Sequence, residues 1–215
     1  RMIDSRGRDK AAMVEVVPPA STPSKVLFEH DKADVADALV HPTTKEVQAV
    51  AANYLRKEWK LLDASMQADF AALEKVARGD VEVTSRSLDD GVWTVAFVTD
   101  DGPVRYYLYD RQAKQAKFTD RPELEDVELA RMHPVEIPSR DGKTLVSYLS
   151  FAGEGERPSQ PLPMVLFVHG GPWARDAWGY NPYHQWMANR GYAVLSVNYR
   201  GSTGFGKGFI NAGDE

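Results

Sequence analysis

The stretch from residue 81 to residue 119 constrains the fold more than any other part of this sequence. It contains four short strand-forming runs, at residues 81–87, 92–99, 104–109 and 116–119. Asp90-Gly91 and Asp101-Gly102 mark two of the reversals between them, because glycine accepts the positive φ that tight hairpin turns require. Residues 110–114 supply the third reversal. The sequence therefore predicts a four-stranded antiparallel sheet, the size of one blade of a β-propeller.

A second set of strands precedes this sheet. Its members are residues 25–29, 35–41, 47–54 and 58–63. The two sets look like repeats of about 40 residues, the period of propeller blades. Between them lies a run with apolar residues at helical spacing: Met66, Phe70, Leu73 and Ala77. Gly79 is placed to cap this run. We predict two to three blades over residues 1–125, with an inserted packing helix near residues 64–78.

The pattern changes after the charged, proline-containing stretch at residues 120–128. Two strands, 133–138 and 144–151, flank a turn and are followed by a polar loop. Residues 164–168 then form a continuous apolar strand of the kind that is buried on both faces. Asn181-Pro182 is a helix start, and Gly191 ends that helix before a second apolar strand. Strand, helix and strand in this order predict a parallel sheet, within a second domain over residues 126–215.

The apolar strand runs directly into His169-Gly170-Gly171-Pro172-Trp173. In an α/β-hydrolase this loop contributes a backbone N–H to the oxyanion hole, which stabilises the negative charge that develops during acyl transfer. Glycine is needed there because a side chain would block close approach. Gly171 is the candidate donor. The alternative is that Gly170-Gly171 merely turns the chain after a core strand.

Three segments together resemble the prolyl oligopeptidase family of serine peptidases, in its acylaminoacyl-peptidase and dipeptidyl-aminopeptidase-like branch. They are residues 169–173, the sequence Ala-Asn-Arg-Gly-Tyr at 188–192, and Asn-Tyr-Arg-Gly-Ser-Thr-Gly-Phe-Gly at 198–206. The resemblance implies a mixed fold, with antiparallel β-propeller blades followed by the beginning of an α/β-hydrolase sheet. It also implies a propeller that limits access to short peptides, and Gly171 as the oxyanion-hole glycine.

The same resemblance implies a triad of Ser, Asp and His in that chain order. We expect none of the three in this chain, because no serine lies in a Gly-x-Ser-x-Gly frame. Ser202 fails since Arg200 occupies the first glycine position. The triad and the second oxyanion donor are therefore expected after Glu215, so that the chain alone is inactive. The residues expected to support the oxyanion loop are His169, Gly170, Pro172, Trp173, Tyr199 and Arg200.

Two histidines and one aspartate near this loop are not expected to act in catalysis. His169 lies on the loop itself, and a structural hydrogen-bonding role is favoured over a general-base role. Asp176 is interpreted as a surface residue and His184 as a helix residue.

Residues 201–208 suggest a function of another class. Gly-Ser-Thr-Gly-Phe-Gly-Lys-Gly follows a buried strand and nearly matches a phosphate-binding P-loop. Gly208 stands where a P-loop needs Ser or Thr for magnesium. The competing interpretation is a glycine-rich turn, with Arg200 available to anchor it through a carboxylate.

Composition excludes several other classes. The net charge is −5 and the basic residues are scattered, which argues against nucleic acid as a partner. There is no cysteine, and the five histidines are too dispersed for a zinc site, so no metal or cofactor is expected. The longest apolar run is far shorter than the roughly 20 residues of a membrane span. Arg1 is interpreted as a boundary that leaves open an upstream export signal, and either the cytoplasm or the periplasm remains open.

The best functional prediction is a serine peptidase that cleaves short peptides through an acyl-enzyme. Its partners would be an oligopeptide substrate and the rest of its own catalytic domain, with a homo-oligomer left open. An esterase or lipase-like hydrolase is an alternative, because the same loop serves esters. A non-catalytic propeller interaction protein is the alternative from another class.

Overall fold

The computed structural model describes residues 1–19, 23, 25–119, 127–171 and 173–214. Within these residues the first three sheets are antiparallel and follow one another along the chain. The first contains β1 (Met2–Asp4), β2 (Ala12–Glu15) and β3 (Lys25–Phe28). The second contains β4 (Val35–Val40), β5 (Val47–Asn53) and β6 (Lys57–Leu61). The third contains β7 (Asp80–Arg86), β8 (Val92–Val98), β9 (Arg105–Asp110) and β10 (Gln115–Thr119).

The third sheet confirms the four strands predicted from the hairpin signals. Its strands pair in the order β10-β9-β8-β7, each antiparallel to its neighbour. Asp90 adopts a φ of 58° in the turn between β7 and β8. The predicted Asp-Gly reversal therefore exists, although it is the aspartate and not Gly91 that takes the positive φ.

The grouping of residues 25–29 with the second set of strands was wrong. β3 pairs with β2 in the first sheet, where Met13 lies opposite Phe28. Ala12, Met13 and Val14 are buried. The strand β2 is therefore an apolar partner for β3, which the prediction had paired with the strands of the second sheet. Neither β1 nor β2 was predicted, because these strands are only three and four residues long.

The predicted inserted helix is shorter than expected. A 3₁₀ turn at Ala64–Met66 leads into α1, Gln67–Leu73, and the helix ends there instead of near residue 78. After Leu73 the hydrogen bonds of Lys75 and Val76 reach back three residues, which tightens the chain out of the α-helix. Gly79 is not a helix cap, because it has a φ of 132° at the start of β7, where a Cβ would lie 2.4 Å from the Val98 carbonyl oxygen.

The main core lies between the second and third sheets, and α1 closes it. Met66, Phe70 and Leu73 are buried, which confirms three of the four apolar positions assigned to the helix. They pack with residues of both sheets: Leu39, Ala49, Trp93, Val95, Phe97 and Tyr109. The helix is therefore a packing element, as predicted.

The fourth sheet combines a hairpin with a parallel pair. It contains β11 (Arg131–Pro138), β12 (Thr144–Phe151), β13 (Met164–Phe167) and β14 (Ala193–Val197), in the order β11-β12-β14-β13. The helix α2, Pro182–Ala188, connects β13 to β14, and the two strands are parallel as predicted. A short helix α3, Lys207–Asn211, was not predicted.

The expectation that the strand at residues 164–168 is buried on both faces was wrong. β13 is the edge strand of the sheet, and one face of it is open among the described residues. Met164 and Leu166 are 58% and 59% exposed, while Phe167 on the other face stacks against Tyr183 of α2 with ring centroids 5.5 Å apart. A strand needs a layer on each side to be fully buried, and here α2 covers one side.

The fourth sheet packs against the turn that connects β5 and β6. A cluster of buried Met132, Tyr148, Trp178, Phe205 and Phe209 contacts Tyr54 and Leu55 of that turn. The guanidinium of Arg56 lies 3.8 Å from the Trp178 ring centroid. These contacts join the fourth sheet to the second. Part of the predicted domain boundary, residues 125 and 126, lies outside the described residues.

Candidate active site

The loop after β13 is shaped by Gly171. This glycine has a φ of 139°, and a Cβ at its position would lie 2.7 Å from the backbone nitrogen of Trp173 and 3.2 Å from that of Ala174. Real Cβ atoms do not approach backbone this closely, so no other residue fits here without a shift. Among the described residues, no acceptor is bonded to the Gly171 N–H.

Two residues close to Gly171 in the loop, Gly170 and Trp173, are exposed. Gly170 is exposed, and a Cβ there would meet no atom within 4 Å. Trp173 is 68% exposed. Pro172, which was expected to support the loop, lies outside the described residues.

His169 connects the loop after β13 to the loop after β14. Its Nδ1 lies 2.9 Å from the carbonyl oxygen of Gly170, and its Nε2 lies 2.9 Å from the hydroxyl of Ser202. Its ring stacks on Tyr199 with centroids 4.6 Å apart and planes 19° apart. Tyr199 also donates a 2.9 Å hydrogen bond from its hydroxyl to the His169 carbonyl oxygen. The structure thus brings His169, Gly170, Gly171 and Tyr199 together.

Arg200 points away from this group. It forms an ion pair with Asp141, in the turn between β11 and β12, at 3.4 Å. Arg200, which was expected to anchor the glycine-rich turn through a carboxylate, therefore does have a carboxylate partner. Both side chains are substantially exposed, so this pair contributes about 0–1 kcal/mol to stability.

Arg175 fixes the end of the loop to the second sheet. Its guanidinium donates hydrogen bonds of 2.8 Å and 3.1 Å to the backbone oxygens of Asn53 and Tyr54. It also lies 4.4 Å from the Phe205 ring centroid. Gly204 has a φ of 90°, and a Cβ there would lie 2.7 Å from Arg175 Nη1, so a side chain would strain the backbone and displace the guanidinium. Nothing in the sequence indicated this role, because Asn53 is 122 residues away.

The interpretation of Asp176 as a surface residue was wrong. It is half-buried, and its Oδ2 atom is buried without a hydrogen-bond partner among the described residues. Its backbone N–H donates to the side chain of Asn198, whose own amide donates back to the Asp176 carbonyl oxygen. Burial raises the pKa of the Asp176 carboxyl, because removing the charged form from water is unfavourable.

His184 lies on α2 as predicted, but it is fully buried inside the sheet layer. Its Nδ1 is 3.0 Å from the Ser150 hydroxyl and its Nε2 is 2.8 Å from the Ser196 hydroxyl. Burial lowers its pKa to about 4, so the ring is neutral near pH 7.

Three of the described serines therefore lie within hydrogen-bond distance of a histidine: Ser150, Ser196 and Ser202. Such pairs suit a nucleophile and its base when a substrate can reach them. All three serines are buried, with exposures of 1% or less. A substrate carbonyl has no access to these hydroxyls, so the pairs are structural.

The glycine-rich segment after Arg200 binds carboxylates of the chain itself. The Gly208 N–H donates a 2.7 Å hydrogen bond to Asp9, and the Gly206 N–H donates a 3.3 Å hydrogen bond to Asp34. A Cβ on Gly206 would lie 2.5 Å from Asp9 Oδ2. The backbone amides that would bind a phosphate in a P-loop are thus already occupied, which favours the interpretation as a turn.

The described residues contain no group of three or more His, Cys, Asp or Glu side chains that could hold a metal ion. In the same part of the chain, no helix has the length and apolar character of a membrane span.

Comparison with known proteins agrees with this arrangement of sheets and loops. The model of the prolyl oligopeptidase family matches residues 178–215. Dipeptidyl aminopeptidase BIII from Pseudoxanthomonas mexicana is 51% identical over 218 residues, which cover 98% of this chain and 32% of that protein. Dipeptidyl peptidase 4 of Porphyromonas gingivalis aligns structurally with a TM-score of 0.67 at 12% identity, over 97% of this chain and 30% of that one. The acylaminoacyl peptidase of Pyrococcus horikoshii aligns with a TM-score of 0.55 at 20% identity, over 83% and 27%.

The chain is thus similar, over nearly its whole length, to proteins named as dipeptidyl peptidases, and its residues 178–215 match the model of the prolyl oligopeptidase family. The chain spans about a third of the length of the curated relative from Pseudoxanthomonas mexicana.

Proposed function

We propose that this chain is the part of a serine peptidase in which the last blades of a β-propeller meet the start of an α/β-hydrolase domain. The whole enzyme hydrolyses short peptides through an acyl-enzyme. The observation that carries this proposal is the geometry of Gly171, which lies directly after β13 with an N–H that no described acceptor takes.

The arrangement of the sheets supports the architecture. The first three sheets are antiparallel, and buried side chains join each one to the next: Met13, Val35 and Val50 between the first and second, and the main core between the second and third. Successive small antiparallel sheets packed in chain order are what propeller blades require. In the fourth sheet, an antiparallel hairpin precedes a parallel strand–helix–strand unit, and ligand-binding loops of such sheets follow the carboxyl ends of the parallel strands.

In the proposed mechanism, the Gly171 N–H donates to the oxygen of the scissile carbonyl as that oxygen becomes negative. The interaction strengthens in the transition state, because the charge develops there and not in the ground state. The nucleophilic Ser, with Asp and His in that chain order, is proposed to follow Glu215, as is the second oxyanion donor. This chain supplies one donor and the loop that holds it.

The substrate class follows the relatives. Dipeptidyl aminopeptidase BIII, by its name, releases dipeptides, and it matches nearly the whole of this chain. We therefore propose that the enzyme removes dipeptides from the free amino end of oligopeptides.

A fluorophosphonate probe tests the catalytic part of the proposal. We expect it to label a protein that continues past Glu215 and not to label the 215-residue chain. Labelling of the short chain would contradict the placement of the nucleophile. An unlabelled longer protein would contradict the peptidase proposal itself.

Turnover measurements test the substrate class. Dipeptide p-nitroanilides with a free amino group should be hydrolysed faster than the same compounds with an acetylated amino group. Faster release of nitroaniline from the acetylated compounds would contradict the dipeptidyl peptidase proposal, because it would show that no free amino end is needed. Turnover of p-nitrophenyl esters without any turnover of either amide would favour the esterase alternative.

A further inference from the structure

The carbonyl of Gly170 and the N–H of Gly171 belong to the same peptide unit. That unit is planar, with the oxygen and the hydrogen on opposite sides of the C–N bond. A hydrogen bond that fixes the direction of the Gly170 oxygen therefore also fixes the direction of the Gly171 N–H. The Nδ1 atom of His169 makes such a bond at 2.9 Å.

The partners of His169 fix its tautomer. A carbonyl oxygen can only accept, so Nδ1 must carry the proton in the bond to Gly170. In the neutral ring Nε2 is then an acceptor, and the Ser202 hydroxyl 2.9 Å away donates to it. Ser202 is fully buried, so water does not compete for this bond.

Tyr199 fixes the plane of the ring. The His169 and Tyr199 rings stack 4.6 Å apart, and the Tyr199 hydroxyl bonds the His169 backbone at 2.9 Å. The imidazole is thus held on its face and at both nitrogens. The peptide unit that it holds lies between two glycines, which are the residues that restrict backbone rotation least.

We propose that His169 is a positioning residue that aims the Gly171 N–H through its hydrogen bond to Gly170, with Ser202 holding the second ring nitrogen. This inference rests on the proposed oxyanion role of Gly171. It differs from a general-base role, because the hydroxyl that His169 contacts is buried and cannot reach a substrate.

Two substitutions of similar size separate the contacts of His169. In His169→Asn the side-chain amide nitrogen replaces Nδ1 and can still donate to Gly170. In His169→Gln the amide reaches the position of Nε2 and retains the contact with Ser202 but not the one with Gly170. Both are measured in the protein that extends past Glu215, with His169→Ala as the full deletion and with melting temperatures for all variants.

We expect His169→Ala and His169→Gln to lower kcat by about tenfold to a hundredfold. This loss does not exceed the loss of kcat that follows the removal of an oxyanion donor. KM should stay within about twofold of wild type. His169→Asn should recover kcat to within about threefold of wild type. Ser202→Ala should lower kcat by about threefold to tenfold, because Nε2 loses its partner and the ring is held less firmly. A purely structural role would lower the melting temperature of the Asn and Gln variants alike and would not separate their kcat values.

Equal kcat values for the Asn and Gln variants, with both folded, would overturn the proposal. So would an unchanged kcat in His169→Ala. If the wild-type protein itself neither reacts with a fluorophosphonate nor hydrolyses peptides, the proposed function fails, and the positioning role fails with it. The wild-type measurement therefore distinguishes the two failures.

Discussion

Arg175 donates a hydrogen bond to the backbone oxygen of Asn53 and thereby joins the loop after β13 to the end of β5. The two residues are 122 positions apart in the sequence. Together with the bond to Tyr54, this contact is how the candidate oxyanion loop is held against the second sheet.

Replacing Arg175 should therefore destabilise the chain. Arg175→Met retains much of the apolar stem but leaves two backbone oxygens without their charged donor, and hydrogen bonds to charged groups contribute about 1.5–3 kcal/mol each. We expect the free energy of unfolding to fall by about 2–4 kcal/mol in urea titrations. Arg190→Met is the matched control. Like Arg175, Arg190 bonds a backbone oxygen and lies over an aromatic ring, here that of Trp186, but its side chain is exposed. Similar losses in both variants would contradict the role assigned to Arg175.

Gly171→Ala should abolish most of the activity of the extended enzyme. The added Cβ meets the Trp173 nitrogen at 2.7 Å, so the loop must shift and the N–H must move with it. Displacing an oxyanion donor costs about 10²–10³ in kcat. Gly142→Ala controls for backbone strain, since Gly142 also has a positive φ but has no atom within 4 Å of its Cβ position. Steady-state kinetics should give a normal kcat for the control. A normal kcat in Gly171→Ala would show that this loop does not contribute to the active site.

Buried His184 should make the chain less stable in mild acid. Its pKa is about 4 in the folded chain and about 6.5 when unfolded, so above pH 6.5 both states are neutral. Between pH 6.5 and pH 4 the unfolded state binds a proton that the folded state does not, and stability falls as the pH falls. The full contribution is about 3 kcal/mol. We expect His184→Gln, compared with wild type by urea unfolding from pH 7 to pH 4, to lose less stability over this interval. Parallel curves for the two proteins would show that His184 does not titrate in this way.

The open face of β13 should make the 215-residue chain bind hydrophobic dyes and self-associate. An edge strand with exposed apolar residues is a template for pairing with other chains. Leu166→Glu should reduce both dye fluorescence and the associated fraction in size-exclusion chromatography. Leu88→Glu is the control, because Leu88 is 78% exposed but lies in the turn between β7 and β8 and not in a strand. A wild-type chain that is monomeric and binds no dye would contradict the prediction.

The parts of the fold that could be predicted are those in which local chemistry determines structure. Asp-Gly turns defined the third sheet, and Asn181-Pro182 defined the start of α2, where the Asn181 side chain accepts from two backbone N–H groups. The parallel direction of β13 and β14 followed from the strand–helix–strand pattern.

The contacts that hold the candidate site could not be predicted, because they join distant residues. Arg175 to Asn53 and Asp34 to Gly206 have no local pattern. The backbone of Asp176 is bonded by the side chain of Asn198, 22 residues away, and the edge position of β13 depends on the order of strands in the sheet. Gly171 gave the best indication, since it marks a place where the backbone passes too closely for a side chain.

The hydrogen bond from Gly208 to Asp9 has a consequence for how fast the chain reaches this structure. It joins residues 199 positions apart, and closing so long a loop costs conformational entropy, which opposes formation of the contact. Proteins dominated by such distant contacts fold slowly compared with those built from local ones. We therefore expect the hairpins of the third sheet to form early, and the joint between Asp9, Asp34 and the glycine-rich turn to form last and open first.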